Sequence, residues 1–200
     1  MNKKFARRPL AAAIAAAALI LPLTASAQNW MIGARVINIS PDVSTSISGL
    51  DVKDQWTGEL DFTYFFTPNL AAELIAAWAK HEVTLNGNSL GKVGVLPPTL
   101  TLQYHFTNLG AFKPYVGGGF NYTYFYENEL ANGTLNINDN SWGGALQAGF
   151  DYQIQKNWYL NADVKYLWIN TKVNVTATGA ELGSLDINPW VFGVGVRYRF

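Results

Sequence analysis

The chain has 200 residues, the length of one domain. It contains no cysteine, which excludes a disulfide scaffold, a thiol nucleophile and a cysteine–zinc centre. Lys plus Arg and Asp plus Glu number 14 each, so no basic surplus points to nucleic acid.

The first segment reads as an export signal. Lys3, Lys4, Arg7 and Arg8 form a basic head, residues 10–21 are unbroken apolar sequence, and Ala25-Ser26-Ala27 is a small-residue cleavage site. That run is short for a spanning helix, which needs about 20 apolar residues. Residues 1–27 are therefore expected to be removed, leaving 28–200 as the working domain. Loss of the four cations leaves 10 basic against 14 acidic residues, a mildly acidic product. No later apolar run is long enough to cross a membrane as a helix.

From Trp30 onward, apolar residues recur at every second position in eight stretches: 30–36, 55–66, 70–78, 96–106, 115–124, 142–152, 158–168 and 190–200. In the second, Trp56, Leu60, Phe62, Tyr64 and Phe66 share one face while Thr57, Glu59, Asp61 and Thr63 share the other. A helix cannot make that split, because its apolar residues recur at three and four. Most of these stretches reach the roughly 9–11 residues that a tilted strand needs to cross a bilayer. The connections alternate in length. Residues 67–69, 107–112 and 155–157 are short turns, whereas 40–54, 82–94, 127–140 and 172–186 are long and polar. Outer-membrane barrels show this asymmetry, so the expected fold is all-β: an eight-stranded antiparallel transmembrane barrel with short periplasmic turns and four longer extracellular loops.

Energy assigns the faces. A Lys or Arg on the lipid side near the midplane costs about 2–4 kcal/mol, and the charges do avoid the aromatic parity. Arg35, Glu59, Asp61, Glu73, Gln103, His105, Asn121, Gln147, Asp151, Asp163, Lys165, Arg197 and Arg199 are expected to line the lumen as a polar network. Lys80 breaks parity at an outer strand end, from which it can snorkel. A soluble secreted barrel with its aromatics inside is the competing fold, but the polar face carries small residues and mixed charges that suit a narrow bore. Mixed signs there read as a salt-bridged plug, because buried charges persist when paired. Above such a plug an apolar vestibule could accept a ligand.

Pro97 and Pro98 donate no ladder hydrogen bonds. They either end a strand at a loop or open a lateral gap through which an apolar solute leaves. Gly117-Gly118-Gly119 lies in mid-strand and is no phosphate loop. No cofactor, metal or catalytic site is expected. The His105-Phe106-Thr107 run superficially suggests a nucleophile pair, but Thr107 falls at a turn without an acidic orienter.

Several blocks resemble the OmpW/AlkL family. Leu96-Pro97-Pro98-Thr99-Leu100-Thr101-Leu102-Gln103-Tyr104-His105-Phe106 looks like its fourth strand, and Lys113-Pro114-Tyr115-Val116-Gly117-Gly118-Gly119 like its fifth. Asn161-Ala162-Asp163-Val164-Lys165-Tyr166 and Asn188-Pro189-Trp190-Val191 match later strands. The resemblance implies a Gram-negative outer-membrane barrel with a narrow, partly hydrophobic channel. It also implies uptake of small hydrophobic solutes, with release into the lipid bilayer. Tyr198 and Phe200 are the expected signal for the outer-membrane assembly machinery. A structural or receptor barrel, binding phage, bacteriocin or host surfaces through its outer loops, is the alternative.

Overall fold

A computed structural model describes residues 29–200; the expected signal segment and its cleavage site lie outside the described residues. The strands in chain order are β1 (Trp30–Ser40), β2 (Ser44–Thr45), β3 (Leu50–Val52), β4 (Gln55–Phe65), β5 (Leu70–Ala77), β6 (Ala79–Leu85), β7 (Asn88–Leu96) and β8 (Thr99–His105). They continue with β9 (Phe112–Tyr126), β10 (Glu129–Leu130), β11 (Leu135–Ile137), β12 (Asn140–Gln153), β13 (Trp158–Leu167), β14 (Asn170–Val175), β15 (Glu181–Asp186) and β16 (Trp190–Arg199). Eight of them, β1, β4, β5, β8, β9, β12, β13 and β16, pair antiparallel around a ring. The ring closes between β16 and β1, from Met31 opposite Arg199 to Ser40 opposite Trp190. Closure leaves the ring without a free edge strand, the condition that hydrocarbon imposes.

Parity sorts the side chains as expected. On β1, Trp30, Ile32 and Val36 are exposed while Met31, Arg35 and Ile37 are buried. On β8, Leu100, Leu102 and Tyr104 are exposed, whereas Thr99, Thr101, Gln103 and His105 are buried. The outward rings pair across strands: Trp30 with Tyr64 at 4.8 Å and Trp158 with Tyr198 at 5.0 Å near one end, Tyr122 with Trp142 at 4.6 Å and Tyr166 with Trp190 at 4.9 Å near the other. Two aromatic girdles bounding an aliphatic belt are the signature of a bilayer-spanning barrel.

The long polar segments differ from the expectation. They are mostly not irregular loops but strands that carry the wall upward. β6 and β7 continue β5 and β8 and meet at Asn86-Gly87, with φ of 51° and 80°, a two-residue hairpin turn. β3 pairs with β6, and a second sheet runs β10-β11-β14-β15-β2. The cause is alternation with water outside. Val83, Val93, Ile137, Val173 and Leu185 point inward and are buried, while their solvated neighbours make the segments read as polar.

Candidate functional site

The strands of the lower tier aim an ion-paired plug into the bore. Arg35 on β1 bonds Glu59 (2.7 Å) and lies 3.1 Å from Glu73, 3.3 Å from Asp61 and 3.2 Å from Asp163. Arg197 on β16 reaches Asp61 (2.8 Å), Glu73 (2.9 Å) and Asp151 (3.2 Å). Lys165 on β13 holds Glu59 at 2.9 Å and Asp163 at 3.0 Å. All eight groups are buried. Amides fill the remaining positions: Gln103 and Gln147 donate to Glu73 at 2.6 and 2.8 Å, and Gln147 also donates to Asp163 at 2.8 Å. Asn161, which was not singled out from sequence although it lies on the polar parity, accepts from Arg35 at 3.0 Å and donates to Asp151 at 2.9 Å. Gly33 faces this cluster without a side chain because Asp61 and Arg197 occupy the place of a Cβ. The interior of an eight-stranded barrel is just wide enough to be filled by side chains, and here it is filled.

The other expected lumen residues separate by height. His105 sits with its Nε2 2.9 Å from Gln103 Oε1, stacked on Tyr115 at 4.8 Å and tilted against Phe65 at 4.9 Å. Thr107 accepts from Asn69 at 3.1 Å in the adjoining turn. Arg199 is half-buried, its guanidinium 4.1 Å from the centre of the Phe65 ring. Asn121 serves the proline segment: it donates to Thr99 at 2.8 Å and approaches the carbonyls of Pro97 and Pro98 at 3.4 and 3.5 Å.

Above the plug the bore turns apolar. A cavity of about 50 Å³ is walled by Ile37, Ile39, Val52, Val83, Phe125 and Leu185, among others, with Glu59 and Lys165 also lining it. That is room for a few molecules of the size of water and less than a ring-sized solute needs. Most of these walls come from the outer hairpins and were not named from sequence. The single imidazole among them is His81, whose Nδ1 lies 2.9 Å from the Lys53 carbonyl oxygen. Burial holds its pKa below the usual histidine value, against the Lys53 bond and nearby Asp54. Lys80, next in sequence, points outward and bonds Glu127 at 2.6 Å, which raises its pKa. This pairing accounts for its parity.

The wall beside the cavity is interrupted. β5 pairs with β8 from Leu70–Tyr104 to Ile75–Thr99, and pairing resumes from Ala79–Val95 between β6 and β7. Ala76, Ala77 and Trp78 thus face Leu96, Pro97 and Pro98 outside either ladder. On the opposite side the prolines are held, since Tyr122 donates to the Pro98 carbonyl at 3.0 Å. Ile75, Ala77, Val95, Pro97 and Thr99, which flank the interruption, all line the cavity.

Comparison with known proteins agrees with this architecture. The OmpW family model matches residues 27–200. The chain is 44% identical over 182 residues to an uncharacterized outer-membrane protein, y4mB, of Sinorhizobium fredii, covering 86% of this chain and 80% of that one. It is 39% identical to outer membrane protein W of Vibrio cholerae, covering 80% and 81% respectively. The crystal structure of the outer membrane protein OprG from Pseudomonas aeruginosa superposes with a TM-score of 0.75 at 32% identity, covering 86% of this chain and 96% of that one. With a closed eight-stranded barrel, two aromatic girdles and a family match across the described residues, the chain belongs to the OmpW family of Gram-negative outer-membrane proteins.

Proposed function

We propose that this barrel is a passive conduit for small apolar molecules rather than an enzyme. Solutes enter the vestibule from outside, meet the plug, and leave sideways into lipid beside Pro97 and Pro98. The observation that carries this reading is the coincidence of three features at one height: an apolar cavity, a dry ionic floor and a missing stretch of ladder. An apolar solute gains nothing from crossing a buried ion cluster, whereas the belt outside Trp78 and Leu100 is hydrocarbon. The implied solute class of the OmpW/AlkL resemblance points the same way. Tyr198 and Phe200 are exposed or half-exposed on the lipid parity and serve, in this reading, as the handle for assembly machinery.

The test is uptake by cells with and without the protein, using a short alkane and a polar solute of equal size. Faster entry of the alkane alone is expected. Replacing Pro97 and Pro98 with Val and Thr allows the ladder to zip, and alkane uptake should then fall while barrel folding persists. Unchanged uptake in that variant removes the lateral exit, and a preference for the polar solute removes the conduit reading itself.

A further inference from the structure

The vestibule contains one polar group that its apolar walls do not require. His81 is 5% exposed, on the inward parity of β6 with Ala79 and Val83, and its ring lines the cavity. A carbonyl oxygen can only accept, so the 2.9 Å contact to Lys53 makes Nδ1 the protonated nitrogen. The neutral ring then presents Nε2 as a bare lone pair. No hydrogen bond from a described residue reaches it. The other polar groups on the lining are already engaged: Glu59 with Arg35 and Lys165, Lys165 with Asp163, and Thr99 with the Pro97 carbonyl and Asn121. Nε2 is open to the free volume of the cavity rather than sealed among the aliphatic walls, so a hydroxyl held there can donate to it.

We infer that the vestibule selects apolar molecules bearing one hydroxyl, alcohols or phenols, over the corresponding hydrocarbons, with His81 Nε2 accepting the hydroxyl proton. This deepens the conduit reading and rests on the same cavity, but it concerns binding rather than passage. The specificity follows from chemistry. A neutral imidazole nitrogen offers nothing to a carboxylate, and the aliphatic walls offer nothing to a second polar group on the solute. One neutral hydrogen bond in such surroundings corresponds to about tenfold in affinity. Because the free volume is about 50 Å³, a ring-sized solute enters by displacing outer-hairpin side chains. The donor contact provides the fixed point around which they repack.

The chain has two histidines, so the imidazole nitrogen resonances of the folded protein in lipid are few and assignable. Phenol and toluene are matched probes differing by the hydroxyl. Saturating phenol should move the His81 Nε2 resonance while leaving His105 in place, and toluene should not move it. His81→Leu should reduce the phenol-to-toluene binding ratio about tenfold, while toluene binding holds or improves. If phenol leaves the His81 resonance unmoved, or His81→Leu retains the ratio, the inference fails whatever the uptake assays show. If the resonance moves as expected but cells carrying the protein take up neither probe faster, the recognition site stands and the conduit reading falls.

Discussion

Arg197 is the most heavily committed side chain in the bore, fully buried and bonded to Asp61, Glu73 and Asp151, with Thr63 accepting as well. Taking it away leaves Asp151 without a cation and leaves Asp61 and Glu73 to share Arg35 in a buried interior. Arg197→Met should therefore cost about 3–5 kcal/mol of barrel stability, the range for breaking a buried pair. Urea titration of the vesicle-inserted protein reads this directly, and a loss below about 1 kcal/mol would mean that water already reaches the cluster. Adding Asp61→Asn and Asp151→Asn should recover much of the deficit, because the penalty belongs to the abandoned charges. His81 makes a second prediction with the opposite dependence on charge. Its folded pKa is lowered, while the unfolded chain titrates near the ordinary value of about 6.5. The unfolded state binds more protons between those values, so the stability of the outer tier is full above about pH 6.5 and declines as pH falls below it. Protection factors in β6 and β7, with the pH dependence of intrinsic amide exchange divided out, should be lower at about pH 5 than at about pH 7.5, and His81→Gln should abolish the difference. Equal protection at both values in the parent protein would show the ring to be solvated.

At the scale of elements, the β6–β7 hairpin shows what alternation reveals and what it hides. Its turn depends on Gly87 at φ 80°, where a Cβ would meet no atom within 4 Å. Gly87→Ala thus isolates backbone strain, and about 1–2 kcal/mol of hairpin stability should be lost. Exchange protection at Thr84 and Ser89 is the measure, and unaltered protection would mean the hairpin tolerates another turn. The eight lower strands were legible because hydrocarbon on one side and a packed bore on the other leave sharply different residues on alternate positions, as along Thr99 to His105. The outer hairpins were not, because both water and loop ends select polar residues. Thr84, Asn86, Asn88 and Ser89 outweigh Val83 and Val93 in any local average. Parity also carries no information about height. Asn121, Arg199 and Glu73 all share the inward parity, yet one braces the prolines, one lies over Phe65 and one is central to the plug. Only strand register, which fixes Thr99 opposite Asn121 and Asp61 opposite Ile75, separates those levels.

For the molecule as a whole, the two tiers impose different solvents on one continuous wall. The lower tier has hydrocarbon outside and ions inside; the upper tier has water outside and an aliphatic interior. A water-soluble ion entering from above must first leave water for the apolar vestibule and then displace an ion pair such as Lys165–Glu59. Each of these steps costs several kcal/mol. Single barrels in a planar bilayer should accordingly carry almost no current in potassium chloride. Replacing Arg35, Glu73 and Arg197 together with Ala removes the groups that bridge the bore, and current should then appear. Uptake of an apolar solute should remain close to the parent rate in the same variant, because its route leaves the bore above the substituted layer. The two readouts bear on different parts of the mechanism. A parent barrel that conducts freely would mean that the plug opens in the membrane. A variant that gains current but loses apolar uptake would place the solute path through the plug, and the interruption beside Pro97 and Pro98 would then be an ordinary change of strand direction.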